Sequence, residues 1–305
     1  MKSKIHLLPI LQALLVTFLW STSFIIIKWG LLEIPPVTFA GLRYFLAALC
    51  FMPFMLKKNY LDEIKKLNTI QWRKLILLGF VFYTFTQGAQ FVGLSLLPSV
   101  SVSLLLNFTP IFVAVMGIFL INEIPTKLQW IGGVAFILGV LVYFFPVSFE
   151  GNQGLGLLVM GIGVVANSGA AIIGRDINRD KRISPLVITF ISMSVGAVIL
   201  LASGIAMDGI PTISLENSLY LLWLAIVNTA FAFTLWNITL RSLTAMESSI
   251  INGTMLIQIA VLAWYFLDES ITLQEGAGML IAALGAVLVQ LKFKKNKIAT
   301  SLSQK

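Results

Sequence analysis

Ten apolar runs, each about as long as a bilayer is thick, divide the chain. They fall at Leu8 to Ile27, Val37 to Leu56, Leu75 to Leu94, Val100 to Ile121 and Leu128 to Phe145, then at Leu155 to Gly174, Leu186 to Ala206, Ser218 to Thr239, Ser248 to Leu267 and Leu273 to Leu291. A helix needs about 20 apolar residues to cross a hydrocarbon core of about 30 Å. Ten such runs nearly exhaust 305 residues, so no room remains for a sizeable soluble domain. The runs lack the alternation of barrel strands, and the other structure that satisfies its own backbone in lipid is the helix. Composition agrees, at 58% hydrophobic and 11% charged, against about 45–50% apolar and about 25% charged in soluble domains. The expected fold is an all-α membrane protein of ten transmembrane helices.

Charge is sorted by side. Loops on the cytoplasmic face carry the Lys and Arg excess. With the N-terminus inside, 19 of the 21 Lys and Arg fall in cytoplasmic segments, and only Lys28 and Arg43 lie toward the outer ends of the first two runs. Both termini are therefore expected in the cytoplasm, in a multi-pass protein of a bacterial plasma or inner membrane. The net charge of +8 orients the chain in a bilayer and does not mark a nucleic-acid partner. The basic start and apolar stretch of Met1 to Leu15 run on through Trp20 to Ile27 without a small-residue cleavage pattern, so they read as a first span. The single cysteine, Cys50, offers no intramolecular disulfide. No Ser/His/Asp set, Cys/His metal spacing or phosphate loop is present. No cofactor or metal is implied, and an enzyme is not expected.

Residues 146 positions apart match along most of the chain: Glu123 with Glu269, Thr126 with Thr272, Gly132 with Gly278, Gly139 with Gly285 and Phe85 with Phe231. Apolar coincidence explains some matches, but not the polar pair Asn122-Glu123-Ile124-Pro125-Thr126 and Asp268-Glu269-Ser270-Ile271-Thr272. The reading is two five-helix units, 1–146 and 147–291, followed by a basic cytoplasmic tail, 292–305. Five is odd, so the second unit must enter the membrane from the opposite side and the repeat is inverted. Inverted repeats suit carriers, because two alike halves of opposite orientation can exchange conformations around a midplane cavity.

The stretch Ser95-Leu96-Leu97-Pro98-Ser99-Val100-Ser101-Val102-Ser103, then Pro110, then Asn122 to Thr126, resembles the EamA-like branch of the drug/metabolite transporter superfamily. So do Asp268 to Thr272 with Gly278, the first-span run Phe18-Leu19-Trp20-Ser21-Thr22-Ser23-Phe24 and the second-span run Phe39-Ala40-Gly41-Leu42-Arg43-Tyr44-Phe45-Leu46. The resemblance covers nearly all of residues 8 to 291. It implies a ten-helix bundle whose central cavity is lined by spans one, three, four, six, eight and nine. It also implies a carrier of small metabolites, an amino acid or related compound favoured and export the favoured direction. Drugs or nucleotide precursors are the alternative substrates, and a membrane-bound lipid-handling protein is a rival of another class. No oligomer is required. In the second copy Leu256 stands where Pro110 does, and Ser192 or a neighbour where Arg43 does, so the kink and the charge are expected in the first half only.

Polar residues inside the spans supply the candidate site. Tyr83, Gln87 and Gln90 fall on one helical face of span three, and Ser99, Ser103, Asn107 and Pro110 on one face of span four. A polar stripe facing lipid is unfavourable, so both face the bundle or a cavity. Asn167, Asn228, Asn237 and Gln258 add amides from spans six, eight and nine, and Trp20 and Trp236 add flat apolar walls. Such a set suits a neutral or zwitterionic small molecule with an apolar part. The competing reading is bonding between helices, worth about 0.6–2 kcal/mol per contact. Arg43 either pairs with Glu33 in the neighbouring loop or serves gating or a substrate carboxylate. Glu123 and Glu269, with Thr126 and Thr272 three residues on, are read as caps of the following helices.

Overall fold

The computed structural model describes residues 7–121, 126–146, 151–179, 182–239, 242–243 and 251–290. Glu123, and the side chain of Asn237, lie outside the described residues. Every described element is helical. The first half runs through α1 (Leu7–Gly30), α2 (Pro36–Met55), a short α3 (Lys58–Lys65), α4 (Thr69–Leu78, Gly79–Gln87 and Gly88–Leu96 in one rod), α5 (Ser99–Leu106), α6 (Thr109–Ile121) and α7 (Lys127–Phe144). The second runs through α8 (Gln153–Arg179), α9 (Pro185–Asp208), α10 (Leu215–Ala225, Ile226–Phe231 and Ala232–Thr239), α11 (Met255–Leu267) and α12 (Leu273–Gln290). Eight of the described helices are long and apolar enough to cross a membrane, α5 and α6 counting as one, and two shorter apolar helices, Ile251–Leu267 and Leu273–Val289, occupy the last two runs.

Local chemistry sets the ends. Pro36 opens α2, where a missing amide hydrogen costs nothing. Asn68 and Gln71 close a reciprocal capping box on α4, as Thr126 and Gln129 do on α7. Ser184 caps α9 and Ser214 caps α10 through their hydroxyls. The polar α3 packs Tyr60 and Ile64 on the core, while Glu63 accepts the Ser184 amide.

Glycines decide the closest packing. Gly132 and Gly139 of α7 cross Gly285 and Gly278 of α12 in antiparallel order. A Cβ on Gly139 would sit 2.6 Å from the Gly278 carbonyl oxygen, and one on Gly285 would sit 2.7 Å from that of Gly132. The 146-residue offset relates Gly132 to Gly278 and Gly139 to Gly285, so each glycine meets the counterpart of the other glycine on its own helix. The opposite side of α7 exposes Ile131, Val134, Leu138 and Leu141. In water such a stripe would be a liability; against lipid it is the outer wall.

Two irregularities recur in both halves. The third span of the first half is π-helical over Gly79–Gln87, and α10 is π-helical over Ile226–Phe231, which the 146-residue offset places at positions 80–85. The fourth span breaks at Asn107 and Phe108. Pro110 has no amide hydrogen to give the Leu106 carbonyl, and the Thr109 hydroxyl donates there instead, at 2.7 Å. A turn at Thr254, equivalent to Phe108, interrupts the fourth span of the second half as well. The expectation of an interruption in the first half alone is corrected: a turn forms there without proline, with the Thr254 hydroxyl donating to the Ile251 carbonyl at 2.6 Å.

Candidate functional site

A cavity of about 410 Å³ lies level with these irregularities, partway along the helices. Both halves build it: α1, α2, α4, α5 and α6 from the first, α8, α10 and the start of the ninth run from the second. Aromatic walls come from Trp20, Phe24, Phe82 and Phe233, and polar side chains at the cavity include Arg43, Gln87, Gln90, Asn107, Asn167 and Asn252, with hydroxyls from Ser23, Thr86, Ser103 and Thr109. A volume in the range of about 300–1,000 Å³ with apolar walls and a few polar groups is the form of a small-molecule site.

Gln87, Asn107, Asn167 and Arg43 are each held by their own helix or a neighbour. The π-helical turn of α4 ends at Gln87, whose side-chain oxygen accepts the Tyr44 hydroxyl at 2.6 Å. Asn107 sits at the break between α5 and α6, where its amide donates to the Ser103 carbonyl at 2.8 Å. Asn167 of α8 donates to the Thr109 hydroxyl at 3.0 Å, tying the break of one half to the first helix of the other.

Arg43 is only 4% exposed. Its Nε donates to Thr229 Oγ1 at 3.1 Å, and its guanidinium carbon lies 5.3 Å from the Tyr44 ring centre and 6.0 Å from that of Phe91. Placing an arginine mid-span costs about 2.5–3.5 kcal/mol on insertion scales, and ring contacts offset about 0.5–2 kcal/mol. The structure does not bring Arg43 and Glu33 together. Glu33, in the exposed loop before α2, accepts the Asn217 amide at 2.6 Å, and hydrogen bonds from Ser214 and Asn217 hold its carboxyl below the usual carboxylate range. The reason is distance along the helix: Arg43 is two turns into α2 and turns toward α10.

The other predicted residues stand beside the cavity. Tyr83 is 3% exposed and packs edge-on against Tyr44, whose hydroxyl reaches Gln87, so it backs the cavity wall and is not among the cavity-lining residues. Asn228 is fully buried; its amide donates to the Leu19 carbonyl, Thr22 and Ser23, and its backbone carbonyl accepts the Trp20 indole at 3.1 Å. Gln258 ties α11 to α1 through Thr17 and Ser21, and Trp236 packs 5.3 Å from Trp20. Thr126 and Thr272 each meet the residue three positions on, Gln129 and Glu275. Glu269 does something else. Its carboxylate accepts the amides of Ser99 at 2.9 Å and Val100 at 3.4 Å, capping α5 of the opposite half, where Pro98 has no side-chain cap to offer.

Sequence reasoning passed over Tyr44, Thr109 and Thr229. Tyr44 stands next to Arg43 in the second-span motif, and Thr229 next to Asn228 within an apolar run, which are the signals available for them. A larger cavity, of about 840 Å³, opens at one end of the bundle beside residues 268–275. Its main polar groups are already engaged, Glu269 on α5 and Tyr143 with Ser101 at 3.3 Å, so the central cavity is the candidate site.

Comparison with known proteins bears on the same architecture. A solved crystal structure superimposes with a TM-score of 0.67 at 16% identity, covering 92% of this chain and 96% of that one. YoaV, an uncharacterized transporter of Bacillus subtilis (strain 168), is 26% identical over 93% of this chain and 97% of its own. An S-adenosylmethionine/S-adenosylhomocysteine transporter of Chlamydia trachomatis serovar L2 is 23% identical over 83% of this chain and 80% of its own. A probable amino-acid metabolite efflux pump of Salmonella typhimurium is 24% identical, covering 94% and 96%. The sequence pattern of the EamA-like transporter family matches twice, over residues 7–145 and 152–291. With both halves matched end to end, the chain belongs to the EamA-like transporter family.

Proposed function

We propose that this transporter carries a small metabolite, an amino acid or related compound, by alternating access, in the outward direction. Ten spans in two inverted five-helix units would give it two exchangeable states. The observation that carries the reading is the central cavity, walled by both halves and holding polar groups in an otherwise apolar bundle. The antiparallel crossing of α7 and α12, Gly132 against Gly285 and Gly139 against Gly278, supports inversion, since these two helices are equivalent by the 146-residue offset and run in opposite directions. The relatives named for S-adenosylmethionine and for amino-acid metabolites support a metabolite as cargo, and the one named an efflux pump supports export.

Flux into proteoliposomes tests it. Labelled amino acids, nucleosides, organic acids and amines are offered to purified protein, and saturable uptake that an internal pool of the same compound accelerates is expected for at least one class. Uptake no faster than in empty vesicles across the whole panel would contradict the reading.

A further inference from the structure

We infer that Arg43 is the anchor for a substrate carboxylate, so that the cargo is a small monocarboxylate with an apolar body and a hydrogen-donating group. The inference rests on the carrier reading of the central cavity and narrows its substrate class.

Arg43 borders that cavity and is 4% exposed. Thr229 holds it from one edge: the Thr229 hydroxyl gives its own proton to the Leu224 carbonyl at 2.8 Å and accepts Arg43 Nε at 3.1 Å. The other guanidinium donors meet no protein acceptor among the described residues. No carboxylate lines the cavity, and the one ion pair among the described residues, Lys74 with Asp176, is on the surface. A guanidinium fixed at one edge, flanked by the Tyr44 and Phe91 rings, presents a planar fork that matches a carboxylate in two parallel hydrogen bonds.

The remaining wall is complementary. Asn107 and Asn167 each donate one amide hydrogen, to the Ser103 carbonyl and the Thr109 hydroxyl, and their side-chain oxygens accept no hydrogen bond among the described residues. Those two acceptors suit an ammonium or amide hydrogen on the same molecule, while Trp20 and Phe233, 5.2 Å apart, offer apolar faces for its body. A single cation among the cavity-lining residues matches one negative charge and not a phosphate dianion, and it repels an organic cation.

The test measures dissociation constants on the purified full-length protein by ligand-induced thermal shift. The probes are L-leucine, L-methionine and L-phenylalanine, each beside its carboxamide, with phenyl phosphate as the dianion. At least one amino acid is expected to bind about tenfold or more tighter than its carboxamide, with no shift from phenyl phosphate. In Arg43→Gln that ratio falls to about one, and Arg43→Lys, which keeps the charge but loses the fork, lies between. Because the ratio is taken within one preparation, it does not depend on the fraction of variant that folds. An amide bound as tightly as its acid, a ratio preserved in Arg43→Gln, preferential binding of phenyl phosphate or no binding by any probe would each overturn the anchor. The broad flux panel judges the carrier reading separately, so a protein that moves compounds lacking a carboxylate would keep that reading and lose this one.

Discussion

Asn228 and Asn107 are both amides set in apolar helices, yet their partners give them different work. Asn228 is sealed, with its amide hydrogens spent on Leu19, Thr22 and Ser23 of α1. Asn107 bonds within its own span among the described residues, and its side chain borders the cavity. Asn228→Ala is expected to lower stability by about 1–2 kcal/mol, read as a drop in the thermal midpoint of the detergent-solubilised protein; an unchanged midpoint would mean that the tie between α1 and α10 carries no weight. The polar stripes of the sequence indicated which amides turn inward. They could not say which of those meet open space and which meet a helix some 200 positions away, as Asn228 does with Leu19. Tyr83 shows the same limit, because its ring is covered by Tyr44 of another helix.

Among the helices, the seam between α7 and α12 shows how small residues govern a membrane bundle. Without a hydrophobic drive between helices in lipid, close backbone approach and dispersion hold them together. Gly139 meets the α12 backbone, whereas Gly133, one turn and a half away along α7, has nothing within 4 Å. Gly139→Ala is therefore expected to cost about 1–3 kcal/mol and Gly133→Ala close to nothing, a contrast that melting of the two variants side by side would read; equal midpoints would contradict the seam. The start of α2 was legible, since the second apolar run begins at Val37 beside Pro36, whereas α4 starts at Thr69 behind its Asn68 cap, ahead of the apolar run from Leu75. The partner of Glu269 was not legible. A carboxylate three residues before Thr272 reads locally as a cap of α12, and only the folded chain brings it to the bare start of α5.

At the scale of the whole molecule, both stretches that match the family pattern contribute helices to one chamber. The 146-residue repeat was visible in the sequence because Glu123, Thr126 and the glycines at 132 and 139 have polar or small counterparts that chance does not supply. The placing of the chamber beside the paired π turns and broken fourth spans was not visible, since those features arise from backbone hydrogen bonding. Such interruptions give a bundle points at which helices can bend without losing their packing elsewhere. The central claim is that this chamber opens to each side of the membrane in turn. Gln90 lines it, and Cys50 is the single cysteine of the chain, so Cys50→Ser with Gln90→Cys places one thiol at the site. Membrane-impermeant maleimide applied to right-side-out and to inside-out vesicles is expected to modify that thiol from both faces, and saturating substrate to slow both reactions. Modification from one face alone, whatever the substrate concentration, would contradict alternating access.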